Sequence, residues 1–343
     1  MAADERGSRP LRRTGPQRGA IRLRLAEPDP TGVRRHAPGV AAARRCPGRA
    51  VTLLGLLHPV PSAATVLAAG GCAVLLVREP PAVREYLGRL GLLLSMVALQ
   101  QAAISLHNDW SDRALDAAAK PWRALPRGLI AAGRVRTLAW ALAAASVAAA
   151  VPLGWDEVAL DLAGAGAGFA YNAGLKGTRW SWLPFAVAFP LLPLFGAAAL
   201  DVWPPAWWTL FVVGAPAVVA IHLADTLPDL ERDAAAGVHG LAHRLGARGA
   251  RRASLAALAG AAGAAVLGAG LAGAASDAGP AGSQAQPYAR TLVGLGAPAA
   301  GAALGVLCAA VAWRWPAAHR VAVTAGAAAV ALGWVAAVAR AAR

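Results

Sequence analysis

This chain has little charge for its length. Only 15% of its 343 residues are Asp, Glu, Lys or Arg, and its mean hydropathy is +0.48. That excludes an ordinary soluble globular protein. Cysteine is also scarce. Cys46, Cys72 and Cys308 stand far apart, with neither metal-ligand spacing nor a disulfide framework, so zinc and iron–sulfur chemistry have no support. Lys and Asn are rarer still, two of each against 31 Arg. The bias fits a GC-rich gene. All four survivors, Asn108, Lys120, Asn172 and Lys176, fall in or beside the polar segments that stand out below. Strict apolar–polar alternation is missing as well, which argues against a β-barrel.

What is present is a series of continuous apolar runs near the length of about 20 residues that spans a bilayer. Nine candidate transmembrane helices follow, at about 51–77, 87–107, 137–154, 157–174, 182–200, 206–224, 252–274, 293–313 and 320–340. The expected fold class is all-α, a multi-pass membrane helical bundle over residues 51–343. The fourth and seventh helices are rich in glycine (Gly164, Gly166, Gly168; Gly260, Gly263, Gly268, Gly270), which lets helix backbones approach closely in lipid. Tryptophans near the ends, among them Trp180, Trp203, Trp208 and Trp315, read as an interfacial belt.

Residues 1–50 differ. They hold twelve Arg against four acids and no apolar run, which reads as a disordered basic arm without the core of a secretory signal. It is taken as a solvated topogenic tail, with no nucleic-acid partner expected. The connections after the second, fourth and sixth helices carry most of the remaining Lys and Arg. The positive-inside rule then places these connections and the N-terminus in the cytosol. The segment 275–291, with its Ser, Gly, Pro and Gln, reads as an exterior loop.

Two acidic clusters end two of the apolar runs. Asn108, Asp112 and Asp116 repeat as Asp225, Asp229 and Asp233 at a constant offset of 117 residues, and three alanines follow each last member. The repeat implies an internal duplication that brings both clusters to one membrane face. On a helix Asp109, Asp112 and Asp116 would share one face, while Pro228 should break the helix before Asp229. Carboxylates beside a bilayer require a functional reason. All-oxygen clusters suit hard divalent cations, above all Mg2+ shared with phosphate oxygens. Lys120, Arg123 and Lys176 would neutralise a departing diphosphate at the same face. This is the electrostatic arrangement that ionises an allylic diphosphate beside an apolar, water-poor cavity.

The segments NDWSDRALDAAAKPWRALPRGLI, YNAGLK and DTLPDLERDAAAGVHGLAHRLG resemble the motif set of the UbiA superfamily of intramembrane prenyltransferases. The resemblance covers roughly residues 51–343. It implies a nine-helix bundle around a central cavity, two or more Mg2+ ions, an isoprenyl diphosphate donor and an aromatic or lipid-soluble acceptor. By motif match Asn108, Asp109, Asp112 and Asp116 would serve one metal, and Asp225, Asp229 and Asp233 the other. Lys120, Arg123, Lys176 and Asn172 would hold the diphosphate, with Tyr171 beside the allylic carbon and Asp112, Asp229 and Tyr171 nearest the chemistry. One departure is His58-Pro59 where many members carry Arg-Pro. His58 either replaces that arginine or packs as a structural residue.

The other histidines read as structural. His222, one turn before Asp225, is expected to be a satisfied interior residue, although it could orient an acceptor. His107 points away from the cluster, and His239 and His243 are placed in a solvated loop. Two other functions are weighed. A membrane terpene cyclase would release product from the diphosphate alone, and a cation transporter would need carboxylates near the midplane, not at helix ends beside Lys and Arg.

Overall fold

The computed structural model describes residues 48–77, 82–203, 207–235, 237–277, 303 and 305–341. The basic arm lies outside these up to residue 47, as do most of the 275–291 loop and the start of the eighth expected helix. Among the described residues every regular element is helical: α1 (Arg49–Leu54), α2 (Pro59–Leu76), α3 (Val83–Ser111), α4 (Arg113–Ala119), α5 (Ala132–Ala150), α6 (Trp155–Ala173), α7 (Leu183–Ala188), α8 (Leu191–Leu200), α9 (Thr209–Thr226), α10 (Leu230–Ala235), α11 (Leu241–Asp277), α12 (Gly305–Arg314) and α13 (Pro316–Ala341).

Among the described residues six helical stretches are long and apolar enough to cross a membrane: Pro59–Leu76, Val83–Ser111, Ala132–Leu153, Leu183–Leu200, Thr209–Asp229 and Pro316–Val338. The chain is a multi-pass membrane protein. Nine spans were expected, and the difference has local causes. Helix α6 is long enough but carries Asp156, Glu157 and Asp161. Helix α11 opens on the Arg244, Arg248, Arg251 and Arg252 run and is interrupted at Gly246, where φ is 65° and ψ 169°. Helix α12 is short in its described part.

The core joins α2, α3, α8, α9, α11 and α13 through side chains such as Cys72, Met96, Phe195, Val213, Leu258 and Val330, all buried. Where α2 meets α8 the backbones nearly touch: a Cβ on Gly196 would sit 2.7 Å from Ala73 Cα. The expected glycine contacts are present for part of the set. A Cβ on Gly164 would lie 3.0 Å from Gln100 and one on Gly168 2.7 Å from Ile104, both on α3, whereas nothing lies within 4 Å at Gly166, Gly260 or Gly263. The buried carboxylate of Asp161 also ties helices together. It accepts hydrogen bonds from Gln100 Nε2 on α3 (2.7 Å) and Ser146 Oγ on α5 (2.9 Å). A buried acid held by two donors is what interior burial requires.

The topology brings the C-terminal ends of α3, α6 and α9 to one end of the bundle. That end carries both acidic clusters.

Candidate active site

The first cluster starts on α3 and does not continue on one helix. Asp112 has φ −85° and ψ 1°, outside helical geometry, and α4 starts after it. The single three-carboxylate face expected from the spacing is therefore divided. Asp109 and Asp116 turn to Arg123, whose Nη1 donates to Asp109 Oδ1 at 2.5 Å and to Asp116 Oδ2 at 3.2 Å. Lys120 Nζ lies 3.5 Å from the other Asp116 oxygen. Asp112 turns away to Lys176, whose ammonium donates to Asp112 Oδ1. Asn108 stays on α3 beside them.

His58 closes the back of this cluster. Its Nε2 lies 2.9 Å from Asp109 Oδ1, although the two residues are 51 apart in sequence. The ring reaches there from a left-handed backbone, φ 44° and ψ 60°, between a short 3-10 turn and the Pro59 that starts α2. His58 therefore touches the acid cluster directly.

The second cluster is built by Pro228. Helix α9 ends at Thr226, a 3-10 turn runs over Leu227–Asp229 and α10 restarts at Leu230, because proline cannot donate to the preceding turn. Asp225, Asp229 and Asp233 all line a cavity of about 220 Å³ with Tyr171, Lys176 and His222. Asp225 also lies 3.9 Å from Arg320 Nε on α13. Lys176 thus belongs to both halves: it holds Asp112 and faces the cavity of the second cluster. Burial pushes its ammonium down to about 8, with nearby Asp233 pulling the other way.

Tyr171 and Phe185 form the far wall of this polar cavity and also line a second, mainly apolar one of about 220 Å³ with Ile104, Phe189 and Phe195. Their rings meet edge to face at 5.1 Å. A third apolar chamber of about 430 Å³ shares Pro61, Thr65, Phe189 and Leu192 with the second.

Asn172 is not at the polar cavity. Its Nδ2 donates to the Ile104 carbonyl at 3.0 Å, and its side chain lines the apolar chamber. His222 is satisfied, as expected, with Nε2 3.0 Å from Ser181 Oγ, but it lines the polar cavity. His107 stacks on Phe169 at 4.3 Å away from the acids. His243 corrects the sequence reading. It lies not in a solvated loop but on the first turn of α11, facing the polar cavity, with both ring nitrogens buried and unpartnered. Its i, i+4 spacing to His239 was the available signal. The fold-back that aims it inward was not readable.

A sequence model of the UbiA prenyltransferase family matches residues 62–341. The chain belongs to the UbiA prenyltransferase family. A digeranylgeranylglyceryl phosphate synthase of Methanoregula boonei is 33% identical over 171 residues, 46% of this chain and 57% of that protein. The chain thus spans little more than half the length of that curated relative. Among solved structures, a UbiA homolog from Archaeoglobus fulgidus bound to DMAPP and Mg2+ superposes with TM-score 0.63 at 15% identity, covering 84% of this chain and 99% of its own. A UbiA homolog from Aeropyrum pernix K1 gives TM-score 0.57 at 18% identity, covering 78% and 94%. At such identities the UbiA neighbours establish the fold.

Proposed function

We propose that this UbiA-family chain moves an isoprenyl group from an allylic diphosphate to a lipid-soluble acceptor and releases diphosphate. The observation that carries this reading is the division of space at Tyr171 and Phe185. On one side lie three carboxylates and Lys176, and on the other an apolar chamber. A charged head and an isoprenoid tail need that juxtaposition.

The donor set fits Mg2+, because both clusters offer oxygen ligands. Among the described residues no three acid, His or Cys groups already converge as a metal cage; Arg123, Lys120 and Lys176 instead engage the first cluster. Asn108, Asp109, Asp112 and Asp116 would hold one ion, and Asp225, Asp229 and Asp233 another, with the cations turned onto the diphosphate. Bound Mg2+ supplies positive charge to the leaving group. Lys176, Lys120 and Arg123 add charge-assisted hydrogen bonds to phosphate oxygens. Tyr171 and Phe185, at the boundary of the two cavities, would exclude water from the carbon that loses its oxygen. Asn172 fixes α6 against α3 through Ile104 and so places Tyr171.

Two relatives support the substrate class. The Archaeoglobus fulgidus homolog binds DMAPP and Mg2+, and the Methanoregula boonei protein, a digeranylgeranylglyceryl phosphate synthase, favours a glyceryl phosphate lipid over an aromatic molecule among the two acceptor classes that the family resemblance implies. The site is proposed to face the cytosol. The test is to incubate membranes containing the protein with labelled geranylgeranyl diphosphate, Mg2+ and a panel of lipid alcohols and aromatic acids, and to weigh the product. Acceptor-dependent prenyl product is expected. Product without acceptor would convert the reading to a cyclase, and no consumption of the donor with or without Mg2+ would remove it.

A further inference from the structure

A part-exposed imidazole whose two nitrogens are both covered and unbonded is costly at those atoms, since each polar group withheld from water without a partner loses about 1–3 kcal/mol. Both His243 nitrogens are in that condition, and the ring lines the cavity that holds Asp225, Asp229, Asp233 and Lys176. The position is not slack. Ser181 Oγ accepts from the Leu241 N–H at 3.0 Å and pairs with His222, which pins the turn two residues before His243. Gly240 is pressed against the same wall: a Cβ there would sit 2.7 Å from the Lys176 carbonyl oxygen. Behind it the backbone leaves helical geometry at Gly246, so this first turn is set independently of the long helix that follows. The turn is fixed by tertiary contacts, and its one cavity-facing polar ring lacks a partner. Sites that bind polar ligands hold their donors in this way, positioned in advance and unsatisfied until the ligand arrives.

We propose that the His243 N–H donates to an oxygen of the diphosphate held against the second acid cluster, making His243 a diphosphate-binding residue. The inference rests on the reading of this cavity as the diphosphate site. It supplies a donor on the side where Lys120 and Arg123 are absent, since both engage the first cluster. No covalent step is involved.

The test uses the full chain in detergent, with thermal unfolding followed against inorganic pyrophosphate in the presence of Mg2+. Ligand that binds the folded protein raises Tm in proportion to its affinity. His243→Leu and His243→Met remove the donor, and His243→Gln retains one. The apolar variants should need about tenfold more pyrophosphate for the same Tm rise, the loss of about one hydrogen bond. His243→Gln should stay within about threefold of wild type. Without ligand the apolar variants should unfold no earlier than wild type, because they remove an unsatisfied group. Unchanged pyrophosphate titration in both apolar variants would overturn the proposal and leave the proposed function standing. So would a fall in their ligand-free Tm with the pyrophosphate response intact, which would make the ring a packing element. If pyrophosphate with Mg2+ does not stabilise wild type at all, the diphosphate reading of the cavity fails, and this inference with it.

Discussion

Asp109 and Asp116 are each 4% exposed and share one guanidinium, whereas Asp225 is half exposed and meets Arg320 across 3.9 Å. The two clusters are alike in spacing and unlike in environment. The offset of 117 residues explains why. It carries Asp112 and Asp116 onto Asp229 and Asp233 and Asn108 onto Asp225, but it carries Asp109 onto Thr226 and Lys120 and Arg123 onto Gly237 and Gly240. One half of the repeat kept or gained cations and closed over its carboxylates. The other has glycines at those places and borders an open cavity, entered by Lys176 from the first half's side. The division suggests different work: a charge-compensated half that is rigid, and an accessible half that receives the ligand.

The largest expected effect asks whether the halves act as one bridge. Asp112→Ala and Asp229→Ala should each lower turnover of geranylgeranyl diphosphate by about a thousandfold or more, the scale of losing a principal electrostatic contact to the leaving group. Activities of the two variants differing by more than about a hundredfold would show that one cluster suffices.

Next comes stability without ligand. Arg123→Gln leaves two buried carboxylates without their shared guanidinium and should cost about 3–5 kcal/mol. Arg320→Gln, at an exposed pair, should cost under about 1 kcal/mol. Denaturant midpoints in detergent would compare them, and equal losses would erase the contrast between a closed and an open half. Gly240→Ala probes the glycine side of the comparison. Its Cβ would sit 2.7 Å from the Lys176 backbone oxygen, which cannot move aside as a side chain can, and 3.1 Å from Ser181 Oγ, so a destabilisation of about 1–3 kcal/mol is expected, together with weaker pyrophosphate binding. The smallest effect belongs to Asn172→Ala. Loss of the hydrogen bond to Ile104 should cost about 1 kcal/mol in stability and leave pyrophosphate affinity unchanged. A change in that affinity alone would return Asn172 to the diphosphate site.

The spacing of the acids, the helix break at Pro228 and the membrane character of the chain were legible, because each depends on local pattern. The partners were not. Asp112 is matched to Lys176, 64 residues on, and Asp109 to His58, 51 residues back. Such choices are made by packing between distant helices. The break at Asp112 was hidden for a related reason: nothing in Ser111-Asp112-Arg113 is a strong helix breaker. Among the described residues the spans that stand out by length and apolarity number six rather than the expected nine, and charge inside a helix is one reason. Asp161 is accommodated by Gln100 and Ser146, two donors that only the folded bundle assembles. Asn172 and His243 were each misplaced, for the direction in which a side chain points depends on the neighbours of its helix.

Residue 58 carries a last consequence. L-amino acids held in a left-handed conformation forfeit about 1–2 kcal/mol, and glycine would recover most of it. His58→Gly should therefore ease the chain where α2 begins while stripping Asp109 of its imidazole neighbour. Backbone comfort and a well-held carboxylate pull this single position in opposite directions, and the protein has settled on the carboxylate.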